Sequence, residues 1–111
     1  MREKEVTKME DKYKNIKTED PEIGEKHVPV VEVSEKGDEL TVNIAIGDIE
    51  HPSQPDHFIQ WIEILDGEIS LGRTYLSPFT KPKATFRLKE KPNNLKVREF
   101  CNKHGTWEYS Q

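Results

Sequence analysis

From Val28 onward the apolar residues of this chain recur in short runs with a period of two. That period belongs to strands, because successive side chains of a strand point to opposite faces. Residues 40–46 give the clearest run: Leu40, Val42, Ile44 and Ile46 share one face, and Thr41, Asn43 and Ala45 the other. Residues 57–65 give a second, in which Phe58, Ile62 and Ile64 alternate with Ile59, Trp61 and Glu63, so both faces are expected to be partly covered. Further strands are expected over 28–34, 68–76, around Ala84, Phe86 and Leu88, over 95–101 and over 106–109. Turn residues separate them, with Glu35-Lys36-Gly37-Asp38 after the first and Asp66-Gly67 as a hairpin signal. About seven short strands at this spacing, with no helical period after the leader, predict one all-β, immunoglobulin-like β-sandwich.

The 24 residues ahead of that pattern form a charged leader. Val6, Met9, Tyr13 and Ile16 would line one face of a short helix ending before Asp20-Pro21. The alternative is disorder, since Lys and Glu dominate the segment. The expected organisation is therefore a leader over 1–24 and a sandwich over 25–111.

Composition narrows the function classes. With 32% hydrophobic and 34% charged residues the core is thin and the polar surface large. A net charge of -4 argues against nucleic acid as a partner. No apolar run reaches the ~20 residues of a membrane span, and no secretory signal follows the N-terminus. One cysteine excludes an intrachain disulfide framework. A thiol needed as a thiolate suits a reducing compartment, so the cytoplasm is the expected location.

The scarce residues carry the chemistry. The chain has four histidines and one cysteine, namely His27, His51, His57, His104 and Cys101. Cys101 and His104, at C-x-x-H spacing, can reach one ion from a single tight turn, and Gly105 would relieve crowding where the backbone bends. His51 and His57 are six apart on a loop stiffened by Pro52 and Pro55. Taken singly these motifs are weak: a buried free cysteine packs as a small hydrophobe, and loop histidines are common. Taken together, they can all sit on loops at one end of a single sandwich. Five candidates exceed the four ligands of structural zinc. Blue copper wants a weak axial ligand, and Met1 and Met9 both lie in the leader. Four imidazoles with an axial thiolate favour a five-coordinate redox iron with one open position.

Glu25-Lys26-His27-Val28-Pro29-Val30, His51-Pro52 with His57 six residues on, the run from His57 to Glu63, and Cys101-Asn102-x-His104-Gly105-x-Trp107 together resemble the superoxide reductase (neelaredoxin/desulfoferrodoxin) family. The resemblance covers residues 13–109. It implies one iron per subunit, with His27, His51 and His57 bound through Nε2, His104 through Nδ1, and Cys101 axial. It implies that Glu25 is a sixth ligand in the ferric state and that Lys26 attracts superoxide and supports protonation of the product. It implies backbone N–H groups of Lys103 and His104 bonded to the Cys101 sulfur. The implied reaction is one-electron reduction of superoxide to hydrogen peroxide, with the iron re-reduced by rubredoxin or a similar donor, in a homo-oligomer (tetramer or dimer).

The chain departs from the family pattern in three ways. A single cysteine cannot build the four-cysteine module of two-iron members, so the one-iron type is implied. Residues 72–83 are shorter than in many one-iron members, and Lys103 replaces a more usual apolar residue. A non-catalytic metal-binding or electron-carrier module is the competing reading; it needs neither an open coordination position nor the Glu25-Lys26 pair. Pure adhesion, a third reading, leaves five ligands unexplained.

Overall fold

The structure, a computed structural model, describes residues 27–111. The expected leader, with its helix or disorder, and both Glu25 and Lys26 lie outside the described residues. Seven strands follow one another: β1 (Pro29–Lys36), β2 (Glu39–Ile46), β3 (Ile59–Asp66), β4 (Ile69–Tyr75), β5 (Lys83–Leu88), β6 (Leu95–Cys101) and β7 (Gly105–Ser110). They form a three-stranded sheet in the order β1-β2-β5 and a four-stranded sheet in the order β4-β3-β6-β7. Every pairing is antiparallel. The expected all-β sandwich is what the chain builds, and the described residues contain no helix long and apolar enough to cross a membrane.

The period-two residues supply the core. Val42, Ile44 and Ile46 of β2 pack against Ile59, Ile62 and Ile64 of β3 and against Leu95, Val97 and Cys101 of β6, all buried. Val31, Ala84, Phe86, Leu88 and Tyr109 close the edges of this cluster. At Gly72 a methyl group would stand 3.3 Å from the Phe86 ring, so the absence of a side chain lets the two sheets approach there. Gly67, at φ 62°, sits in the left-handed region that the tight β3–β4 connection requires.

Both faces of β3 are covered, as its sequence suggests. The cover on the outer face is polar. Register aligns Arg73 of β4, Glu63 of β3, Arg98 of β6 and Glu108 of β7 in one row of alternating charge. Arg73 Nη2 lies 3.1 Å from Glu63 Oε1, and Arg98 Nε lies 2.8 Å from Glu108 Oε1. The Arg73 guanidinium also stacks 3.8 Å over the Trp61 ring. Long side chains lying flat on one another bury Glu63 to 4% and Arg98 to 3% exposure on a face that a polar strand pattern would leave wet.

One expected boundary differs. β3 begins at Ile59, and His57 and Phe58 precede it. His57 instead exchanges two 2.9 Å backbone hydrogen bonds with Gln54, closing a tight turn that the prolines at 52 and 55 stiffen. Ile62 is fully buried at the middle of β3. Ile62→Ala is expected to lower unfolding free energy by about 2–5 kcal/mol, read from the urea midpoint of the purified chain.

Candidate metal centre

Antiparallel alternation places the start of β1, β3 and β7 and the end of β2 and β6 at one end of the sandwich. Pro29 pairs with Ile46, Ile59 with Cys101, and Cys101 with Gly105. The residues just outside those positions are His27, His51, His57 and His104. Strand register alone thus gathers side chains up to 77 positions apart.

The four imidazoles form a closed ring. Adjacent centroids are 4.6 Å apart for His27 and His51, 4.7 Å for His51 and His57, 5.2 Å for His57 and His104, and 4.7 Å for His104 and His27. The His27–His57 diagonal is 6.4 Å, longer than every edge. Neighbouring rings stand steeply to one another, at 67° to 81°, while the diagonal pair is inclined by only 29°. This pinwheel turns nitrogen atoms toward a common centre: His27 Nε2 is 3.1 Å from both His51 Nε2 and His104 Nδ1. Cys101 Sγ lies 3.8 Å from His104 Nδ1. One donor atom each from His27, His51, His57 and Cys101 falls within 4.8 Å of all the others. His104 stands against this group through its contacts to His27 and Cys101.

Local structure fixes each ring. His51 Nδ1 lies 2.7 Å from the Pro52 carbonyl, which can only accept, so the ring proton sits on Nδ1 and the Nε2 lone pair faces the centre. The His51 backbone N–H donates to the Ile46 carbonyl at 3.2 Å. Trp107, fully buried, stacks on His27 with centroids 5.0 Å apart, and its Nε1–H donates to the His104 carbonyl at 3.2 Å. Gly105 has φ 85°, so the turn from Cys101 into β7 needs a residue without a side chain.

Burial drives the electrostatics. It lowers the His51 pKa from 6.5 to about 4, with the neighbouring imidazoles adding to the shift and the Pro52 carbonyl opposing it. His51 is therefore neutral and ligand-ready at physiological pH. Burial pushes the Cys101 thiol up from its ordinary value of 9.0, as does the nearby Glu99, while backbone N–H groups of Lys103 and His104 bonded to the sulfur pull the other way. Without a cation the sulfur is a thiol. Donor atoms of His27, His51, His57 and Cys101 converge within 4.8 Å of one another, close enough to hold one cation. Imidazole and thiol donors select a transition metal over calcium or magnesium. The residues present fit a metal.

Glu99 was not anticipated. It is fully buried, burial holds its carboxyl well above the usual carboxylate range, and its two oxygens have no hydrogen-bond partner among the described residues. The signal was in the sequence: Leu95, Val97 and Cys101 mark the inward face of β6, and the same period puts Glu99 there.

A family model described as Desulfoferrodoxin matches residues 19–110. A superoxide reductase of Pyrococcus abyssi is 41% identical over 97 residues, covering 77% of this chain and 84% of its own length. A desulfoferrodoxin of Syntrophotalea carbinolica is 46% identical over 86 residues, and the match covers 75% of this chain but only 60% of that longer protein. Among solved structures, the superoxide reductase of Nanoarchaeum equitans superposes with a TM-score of 0.74 at 28% identity, covering 86% of this chain and 97% of the other. With the sandwich, the ring of imidazoles and these relatives in agreement, the chain belongs to the desulfoferrodoxin family of superoxide reductases.

Proposed function

We propose that this chain is a superoxide reductase of the one-iron type, joining one superoxide anion, one electron and two protons into hydrogen peroxide. The observation that carries this reading is the pinwheel of four imidazoles, His27 and His51 buried and His57 and His104 half-buried, with a thiol held beside it by two backbone N–H groups. His27, His51, His57, His104 and Cys101 would hold one iron per subunit. When bound, that iron supplies the single electron and the Lewis-acid position for the substrate. An external donor, rubredoxin or a protein of its kind, restores the electron.

The chain's own residues do the rest. The N–H groups of Lys103 and His104 spread the negative charge of the deprotonated sulfur. The Pro52 carbonyl keeps the His51 lone pair aimed inward through the cycle. Lys26 and Glu25 directly precede His27 in the sequence. Lys26 supplies local positive charge for an anion that the net charge of -4 would otherwise repel, and helps deliver protons to the product. Glu25 would supply a further carboxylate ligand to the oxidised iron. The chain works in the cytoplasm as a dimer or tetramer; exposed Ile69, Leu71 and Tyr75 on the edge strand β4 support an association of copies.

The deciding experiment follows superoxide decay by the iron-loaded protein while hydrogen peroxide and oxygen are both quantified. Reduction yields peroxide alone; oxygen in stoichiometric amount would mean dismutation and would sink the reading. Lys26→Ala is expected to slow the reaction at low salt about tenfold and to flatten its dependence on ionic strength. An unchanged salt slope in stopped-flow traces would remove Lys26 from that role. Because the Cys101 pKa is raised above 9.0 in the metal-free fold, the thiol is protonated near neutrality and must lose its proton to bind metal. Ferrous affinity should therefore rise about tenfold per pH unit between about pH 7 and about pH 8.5. Anaerobic titration calorimetry in buffers of different ionisation enthalpy would report the released proton.

A further inference from the structure

Asn102 occupies the turn between two of the proposed ligands, and neither the expected reaction nor the donor set gives it a task. Its side chain reaches across to the other loop of the site. Its Nδ2 donates to the Asp56 carbonyl at 3.0 Å, and its Oδ1 accepts from the Phe58 N–H at 2.9 Å. Those two groups flank His57. The amide orientation is unambiguous, since a carbonyl only accepts and a backbone N–H only donates. The Asn102 backbone N–H adds a third bond, to the Phe58 carbonyl at 3.3 Å.

Asn102 thus treats the chain at His57 as a parallel strand neighbour would, with one donor and one acceptor straddling the central residue. His57 spends its own N–H and C=O on Gln54, both at 2.9 Å. Every backbone hydrogen-bonding group from His57 to the Phe58 carbonyl, and the Asp56 carbonyl before them, is then engaged. What these bonds leave to His57 is rotation of its ring about the side-chain torsions. Asp has no donor for the Asp56 carbonyl, and Ser is too short to span the two groups.

We infer that Asn102 is a positioning residue that locks His57 to the Cys101 turn, so that the histidine loop and the cysteine turn present their donor atoms as one rigid unit. The inference rests on the metal-centre reading above, but not on the identity of the reaction. It places Asn102 one step out from the donor atoms, acting through His57 rather than on any bound group.

The test is a double-mutant cycle on the full chain with Co2+ as the metal probe, read by anaerobic optical titration, with thermal unfolding of each metal-free variant alongside. Asn102→Ala should weaken Co2+ binding about tenfold. In a His57→Ala background the same substitution should change affinity by less than about twofold, because its effect passes through the missing ring. A merely structural role would weaken binding equally in both backgrounds, and that outcome overturns the proposal. So does an Asn102→Ala chain that binds as tightly as the unmodified one. Should Asn102→Ala fail to fold, Asn102→Asp keeps the arm to the Phe58 N–H, and the same cycle decides. Absence of Co2+ binding by the unmodified chain would overturn the metal centre itself and this proposal with it, a result distinct from normal binding that is indifferent to Asn102.

Discussion

The pairing of β3 with β6 is the contact on which the site depends. These are the two inner strands of the four-stranded sheet, and their register sets Ile59 opposite Cys101. A slip of one residue would turn Cys101 to the outer face and bring Asn102 to the core. The pairing is pinned from both faces. Inside, Ile62, Ile64 and Val97 are fully buried; outside, Trp61 of β3 stacks on Phe100 of β6. A slip would break both sets at once.

The donor groups of His27, His51, His57 and Cys101 crowd within 4.8 Å of one another. His27 Nε2 stands 3.1 Å from both His51 Nε2 and His104 Nδ1, beside the buried Cys101 thiol. The fold holds that arrangement because its walls are stiff: Trp107 on His27, the Pro52 carbonyl on His51, the Gln54 bridge and Asn102 around His57. Rigidity set up in advance lowers the entropy lost when a cation enters.

Much of this was legible in the sequence, for definite reasons. Period two located the strands, and the apolar phase of residues 40–46 identified the inward face of β2. The five scarce ligands pointed to one site because nothing else in a short chain needs four histidines and a cysteine. What escaped reading is what depends on apposition across sheets. The bonds from Asn102 to residues 56 and 58 join positions 46 and 44 apart, and no local pattern announces them. The alternating charge row is likewise invisible until register is known. Glu99 is different: its phase on β6 was plain, and a charged residue on an apolar face is simply easy to pass over. His57 was read as strand because an alternating run begins there, yet the Gln54 turn claims its backbone first.

The row Arg73–Glu63–Arg98–Glu108 has a consequence for how the molecule looks from a distance. Two cations and two anions, interleaved across four strands and packed flat, cancel one another before their field leaves the surface. Their close contacts are shielded from counter-ions, so ionic strength acts on them little. The row itself carries no net charge, and Glu68 and Lys96 beside it pair with each other as well, Glu68 also reaching Arg98 at 3.2 Å. An approaching anion or a charged redox partner is therefore steered by the chain's other charges rather than by this row.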